Sequence, residues 1–411
     1  VRPAITLARD GFELTERLAG GLERLIEGRG ADYRGTVRAF SKDGFAYSPG
    51  ELLVQMDLSH TLERIASDGR DGFYAGETAR LLVEEMERGG GIITLEDLTR
   101  YRARERTTVQ GTYRGYDIIS MPPPSSGGIA VVQMLNILEG YDVAAMGHNS
   151  SDYIHHLTEA MRIAFRDRAH FVADADFVDV PLHRLTSKAY AATSRGEIDS
   201  RTAGISEASD IVQPYESPET THYSVVDRDG MAVSVTYTLE SGYGSAITVE
   251  GGGFLLNNEM GDFNAGPGLT NDQGLIGTVP NLARPEQRML SSMSPSIVAK
   301  DGELVAVVGS PGGRTIINTV LQVILNVVEF DMNIQEAVNA ARFHHQWLPD
   351  QIRIEQDGVG SATVAELERL GHTVSVRGSQ GRASSIMVDP LTGDRLGAAD
   401  PRNEDAGASG S

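Results

Sequence analysis

Apolar residues recur at helical spacing in the first quarter of the chain, at Leu14, Leu18, Leu22 and Leu25. They do so again at Leu81, Leu82 and Met86, with Glu85, ahead of Gly89-Gly90-Gly91. This period predicts a mainly helical region to about residue 110. Residues 113–120 (YRGYDIIS) read as a strand, closed by Pro122-Pro123-Pro124-Ser125-Ser126-Gly127-Gly128, whose composition predicts a rigid loop poor in hydrogen bonds. One helix is predicted over 129–138 and a longer one over 152–171, with Ile154, Leu157, Met161 and Phe165 on one face. From 187 to 219 the chain turns polar and ends in Pro214-Tyr215-Glu216-Ser217-Pro218-Glu219, an exposed linker or an ordinary surface loop.

After Thr220 the period changes to that of strands: THYSVVD, MAVSVTYTL, GFLLNN, SIVA and LVAVVG. Helices are expected over 314–329, 333–343 and 361–370, and strands over 351–355, 373–377 and 384–388. The last ten residues are small and polar and read as disordered. Strand runs with helices before, between and after them predict an α+β layered fold, and no internal repeat is present.

Composition narrows the function classes. The 411 residues carry 36 basic against 57 acidic side chains, a net charge of −21 that disfavours nucleic acid and anionic membranes as partners. The absence of cysteine removes disulfides, thiolate metal sites and cysteine nucleophiles. No apolar run reaches the roughly 18 residues of a membrane span. The sequence opens on Val1 in what reads as the middle of a fold, so the natural start and any targeting signal are expected to lie upstream.

The segment from Thr220 to Leu239 has the pattern of a hairpin. A three-residue loop over 228–230 places Gly230 where a left-handed residue is needed. That register pairs 227 with 231 and 225 with 233, and it sets Thr220 opposite Thr238. Opposed residues have Cβ atoms about 4.5–5.5 Å apart, close enough for two hydroxyls to bond. An ordinary Thr–Thr pair on a sheet face has the same register. His222 is placed one position off the strand face of Thr220.

Several long segments resemble the gamma-glutamyltransferase family: YRGYDIISMPPPSSGGI (113–129), TTHYSVVDRDGMAVSVTYTL (220–239), GFLLNNEMGDF (253–263), LSSMSPSIV (290–298), GSPGGRTIINTVLQ (309–322) and ARFHHQWLPD (341–350). The resemblance runs from residue 1 to about residue 401. It implies a four-layer αββα sandwich of the N-terminal-nucleophile hydrolase type, made as one precursor that cuts itself between Glu219 and Thr220. The products are a large-subunit portion, 1–219, and a small-subunit portion, 220–411, which together form one αββα domain. Carried over, Thr220 is the nucleophile and Thr238 the hydroxyl that orients it. The N–H groups of Gly312 and Gly313 form the oxyanion hole. Ser291 and Ser292 bind the substrate α-carboxylate, and Glu240, Glu259 and Asp262 stand where the α-amino group is held.

The implied activity is cleavage of the γ-glutamyl amide of glutathione and related compounds. A threonine acyl-enzyme passes the glutamyl group to water or to an amino acid or peptide acceptor. No cofactor and no metal are implied, the partner is the chain's own cleaved subunit, and the compartment is periplasmic or extracellular. The chemistry of the residues is compatible. A threonine hydroxyl needs a base, and a freed α-amino group, with a pKa of about 7.7–8.0, is one near neutral pH. Gly312-Gly313 lies between a predicted strand and a predicted helix, where successive N–H groups can face one developing negative charge; a structural tight turn is the other reading. The loop Gly309-Ser310-Pro311-Gly312-Gly313-Arg314-Thr315 lacks the spacing and the lysine of a phosphate loop. Three acids repel one another unless a cation such as a substrate ammonium sits among them, or they form a solvated acidic rim.

Two histidine doublets read as packing or surface residues. His155-His156 points its rings apart on a helix, and His344-His345 has no histidine or carboxylate at ligand spacing.

The sequence departs from the family in three places. Family members carry, ahead of the position of Val1, core strands, a glycine-rich motif and an arginine that anchors the substrate carboxylate, so N-terminal truncation is expected. Glu240 stands where asparagine is frequent, and Gln273, in a lid-like stretch over 264–281, where tyrosine is. The alternatives are a cephalosporin or glutaryl acylase, against which three acids at the amino end argue, and a catalytically inactive fragment.

Overall fold

The computed structural model describes residues 1–207, 220–264, 266, 278–356 and 358–410. Glu219, Gln273 and most of the lid-like stretch lie outside them. The chain divides into two compact units, Val1–Glu105 with Ser241–Asn258, and Arg106–Glu240 with Glu259–Ser411.

The first unit is helical, as its leucine period predicts. Its helices are α1 (Arg2–Asp10), α2 (Glu16–Glu27), α3 (Arg34–Phe40), α4 (Met56–Asp68), α5 (Asp71–Tyr74), α6 (Gly76–Gly89) and α7 (Leu95–Arg100). Strands β1 (Phe12–Glu13) and β2 (Leu52–Leu53) pair antiparallel. Thr15 caps α2 by accepting from Leu18 N at 3.2 Å, and Leu22, Leu25 and Leu14 are buried together with Phe40. The segment 241–258 is tied in by Thr36, whose Oγ1 donates to Ala246 O at 2.7 Å, and by Thr61, whose Oγ1 donates to Gly252 O at 2.7 Å. The expected strand GFLLNN does not form. Residues 245–249 and 254–256 instead exchange bonds in an irregular return, with Val249 N to Phe254 O at 3.0 Å and Leu256 N to Ile247 O at 2.8 Å.

The second unit is layered. The expected strand at 113–120 is a hairpin, β3 (Val109–Tyr113) and β4 (Tyr116–Ser120), turned by Arg114 and Gly115, both at positive φ. Helices α8 (Gly127–Leu138), α9 (Val143–Met146), α10 (Ser151–Phe171), α11 (Leu182–Leu185) and α12 (Lys188–Arg195) follow. The last of these falls in the stretch expected to be a linker. Then come β5 (Thr221–Val226), β6 (Ala232–Tyr237), β7 (Ser296–Lys300), β8 (Glu303–Val308), α13 (Thr315–Phe330), α14 (Ile334–Asn339), β9 (Phe343–His344), β10 (Ile352–Glu355), α15 (Ser361–Arg369), β11 (Val374–Arg377), β12 (Ser384–Val388) and β13 (Arg395–Ala399). Strands β3 and β13 escape the periodicity because small or polar residues interrupt their apolar alternation.

A six-stranded sheet runs in the order β13-β12-β8-β7-β4-β3, every neighbouring pair antiparallel. Helices α8 and α13 pack on it, α10 packs on α8, and the β5–β6 hairpin packs against β8 and β12. Every residue of α8 is buried, as its all-round apolar sequence requires. The face of α10 bearing Ile154, Leu157, Met161 and Phe165 lies in the same core as Leu135 and Leu321. A smaller sheet, β11-β10-β9, lies beside α15. Of the last ten residues, expected to be disordered, the first is tied: Arg402 donates to Glu355 Oε1 at 2.7 Å and to Asp400 Oδ1 at 3.1 Å.

Candidate active site

The hairpin has the register that its turn chemistry predicts. Thr221 faces Tyr237 and Val225 faces Val233, and Gly230 takes φ +88 with its N–H bonded to Asp227 O at 3.1 Å. One step beyond the last ladder pair, Thr220 Oγ1 lies 3.4 Å from Thr238 Oγ1, at the long limit of a hydroxyl hydrogen bond. Thr238 Oγ1 also accepts from Glu240 N at 2.8 Å. Glu240 is buried with φ +73, a conformation rarely taken by a residue with a side chain and common at functional sites.

His222 corrects its sequence placement. In a strand, residues two apart share a face, so His222 lies on the face of Thr220, and it is buried. Ser224 Oγ donates to Ser384 O at 3.0 Å, so it accepts from His222 Nε2 at 3.1 Å. The other nitrogen, Nδ1, then accepts from Thr236 Oγ1 at 2.7 Å. Burial lowers the His222 pKa from 6.5 to about 4, keeping the ring neutral. The unfolded chain therefore takes up this proton first as pH falls, and the stability due to the neutral ring is lost between about pH 6.5 and 4. At about 1.36 kcal/mol for each pH unit between the two values, the loss is about 3 kcal/mol. His222→Gln is expected to flatten that part of a curve of unfolding free energy against pH, measured by urea titration; an unchanged slope would show that His222 titrates normally.

The His222 ring lies on Gly309, where a Cβ would come within 1.9 Å of it. Gly309 begins the loop that joins β8 to α13. In this loop Gly312 takes φ +134 and Gly313 φ +56, both in the region that favours glycine. Thr315 Oγ1 donates to Gly312 O at 2.7 Å, and Ser310 Oγ accepts from Arg382 N at 2.9 Å. These bonds hold the turn from both sides.

Asp262 and the segment leading into the serine pair are linked through Asn281, itself buried. Its Nδ2 donates to Asp262 O at 2.7 Å, and its Oδ1 accepts from Leu290 N at 3.0 Å, next to Ser291. Glu259 opens, and Asp262 closes, a single turn of 3₁₀ helix. Glu240 and Glu259 flank a segment whose end residues are bonded to each other, Ser241 N to Asn258 Oδ1 at 3.1 Å. Ser291 N donates to Pro124 O at 3.1 Å, and Ser126 N donates to Ser291 O at 2.8 Å, so the proline-rich loop runs along the serine pair. No signal in the sequence marked Asn281 or this pairing, because both rest on contacts between distant segments.

The histidine doublets are buried. His345 Nε2 lies 3.1 Å from Asp350 Oδ1, a carboxylate that the sequence reading did not count as a partner. His155 meets His372 across the fold: Nδ1 is 2.8 Å from His372 Nε2, and Nε2 donates to Asp199 O at 2.8 Å. With Glu159 these groups lie within 4.8 Å of one another. Both His155 nitrogens are engaged, and Arg162 lies 3.2 Å from the Glu159 carboxylate, which opposes a further cation there.

The profile of the gamma-glutamyltranspeptidase family matches residues 1–410. The glutathione hydrolase proenzyme of Escherichia coli strain K12 is 47% identical over 409 residues, covering 98% of this chain and 70% of that protein. The acylase ACY 1 proenzyme of Pseudomonas sp. strain SE83 is 37% identical over 403 residues, covering 96% of this chain and 68% of that protein. Among solved structures, the cephalosporin acylase of Bacillus halodurans superposes with a TM-score of 0.85 at 26% identity, over 100% of this chain and 74% of that one. The shared fold bears out the N-terminal-nucleophile hydrolase class.

Proposed function

The chain belongs to the gamma-glutamyltranspeptidase family, and from that premise we propose that it is a self-processing enzyme that cleaves γ-glutamyl amides such as glutathione. The observation that carries the site assignment is the Thr220–Thr238 hydroxyl pair at 3.4 Å, at the mouth of a hairpin packed on the sheet that feeds the Gly312-Gly313 turn.

In this reading, cleavage of the Glu219–Thr220 peptide bond gives portions 1–219 and 220–411 and frees the α-amino group of Thr220. That amine takes the proton from Oγ1, which attacks the γ-carbonyl carbon. Thr238, its oxygen fixed by Glu240 N, orients the nucleophile. The negative charge that develops on the carbonyl oxygen is met by the N–H groups of Gly312 and Gly313. The amine leaves with the proton, and the Thr220 ester passes its glutamyl group to water or to an amino acid or peptide amine. Ser291 and Ser292 receive the α-carboxylate, and Glu240, Glu259 and Asp262 the α-ammonium. No metal or cofactor enters this scheme. Among the described residues no helix is long and apolar enough to cross a membrane; the periplasm or the exterior is the compartment we infer.

A second reading, acylase action on glutaryl amides, is favoured by the cephalosporin acylase superposition. The acids separate the two, since a glutaryl group has no ammonium. Asp262→Asn is expected to raise KM for γ-glutamyl-p-nitroanilide about 10- to 100-fold, the scale of a lost charged hydrogen bond. Its rate on glutaryl-p-nitroanilide should hardly change. A wild-type preference for the glutaryl substrate would reverse the choice.

A further inference from the structure

The assignment of Ser291 and Ser292 to the α-carboxylate leaves open what holds two short hydroxyl side chains in place. The structure gives them a support in the proline-rich loop and on α10. Ser125 pairs with Ser291 as an isolated bridge, Ser125 Oγ donates to Met293 O at 2.6 Å, and Ser126 Oγ donates to Ser291 O at 2.8 Å. Behind this stands Arg168, only 3% exposed. Its Nε donates to Ser126 Oγ at 2.8 Å and its Nη2 to Ser292 Oγ at 3.0 Å.

We propose that Arg168 is a positioning residue of the α-carboxylate subsite, its guanidinium fork fixing Ser292 and, through Ser126, the backbone of Ser291; this rests on the reading given under Proposed function. A guanidinium only donates, so Ser292 Oγ enters that bond as an acceptor and directs its own O–H away from Arg168. The permanent charge polarises that O–H and favours an anion on its far side. The fork matters as much as the charge. Two fixed N–H vectors set the distance between Ser126 and Ser292, which the three rotating donors of a lysine cannot do. A role confined to folding would weaken the protein without altering which ligand it prefers, so ligand preference is the property to measure.

The test is calorimetric titration of the full chain with L-glutamate and with its α-amide, which differ only at the group the subsite recognises. The wild type is expected to bind L-glutamate about tenfold or more tightly, the scale of a charge-assisted contact. Arg168→Gln is expected to abolish that preference. Ser292→Ala, which leaves the Ser126–Ser291 branch in place, should reduce it in part, and adding that change to Arg168→Gln should reduce it no further. Equal weakening for both ligands in Arg168→Gln, or an unchanged preference, overturns the proposal. If Arg168→Gln does not fold, Arg168→Lys carries the test: a preference reduced severalfold supports a role for the fork, and a wild-type preference refutes it. Turnover of γ-glutamyl-p-nitroanilide on the same wild-type sample reports the enzymatic reading separately. A glutamate preference without turnover sinks that reading and leaves this one standing, whereas a wild type indifferent to the α-carboxylate sinks the subsite and Arg168's part in it.

Discussion

Replacing Thr220 with alanine is expected to leave the chain uncut and without γ-glutamyl turnover. The wild type is expected to separate into portions 1–219 and 220–411. The substitution removes the oxygen that would attack both the Glu219 carbonyl and the substrate. Thr238 Oγ1, 3.4 Å away, accepts from Glu240 N and follows the end of the partner strand, away from the chain terminus whose amine would be the base. Loss of the nucleophile in a serine hydrolase costs about 10⁶ in kcat, and a fall of at least about 10³ is expected here. Thr220→Ser should keep part of both activities, because it keeps the hydroxyl. Intact mass spectrometry reads the cut and p-nitroaniline release reads the turnover. Wild-type protein that stays whole, like the alanine variant, or an alanine variant that is cut at the same bond, would sink the assignment of Thr220. If the base in cut protein is the Thr220 α-amine, kcat/KM should rise through about pH 7.7–8.0.

The local half of this site was legible in the sequence and the non-local half was not. Gly230 set the hairpin loop, the loop set the register, and the register set Thr220 opposite Thr238, all within about twenty residues of chain. Glycines at 312 and 313 similarly announced a turn that only glycine makes easily, and they take φ +134 and +56. By contrast Asn281, Arg168 and His222 have no local mark. An asparagine, an arginine on a helix and a histidine on a strand are ordinary until distant segments meet them. His222 shows the cost of a misplaced face: counted by two along the strand, it belongs beside Thr220, where its ring lies against Gly309. The fold shows the same division. Helix α10 follows from a long periodic run, and α8 and α13 from long apolar ones. Strands β3 and β13 complete the six-stranded sheet without an alternation of their own, because their pairing with β4 and β12 supplies what their sequence lacks.

Gly312→Ala is expected to lower kcat by about 10²–10³ with little change in KM. Oxyanion donors act on the transition state, and the loss of one costs about 2.7–4 kcal/mol of barrier. The structural cause is specific. A Cβ at 312 would lie 2.5 Å from Thr315 Oγ1, the hydroxyl that closes the turn onto Gly312 O at 2.7 Å. At φ +134 no side-chain-bearing residue is comfortable, so the backbone must rotate and carry the 312–313 N–H groups with it. Gly313 sits at φ +56, in the left-handed well that other residues enter for about 1–2 kcal/mol, so Gly313→Ala should cost less than Gly312→Ala. Kinetics on fully cut protein, beside its thermal unfolding, separate the two effects. A Gly312→Ala enzyme that is folded, cut and as fast as the wild type would remove this turn from the chemistry and leave it a structural corner between β8 and α13. A loss confined to KM would place the glycines in substrate binding instead. The expected result, a fall in kcat at nearly constant KM with a graded order across two adjacent glycines, requires that the oxyanion be met by backbone N–H groups at this turn.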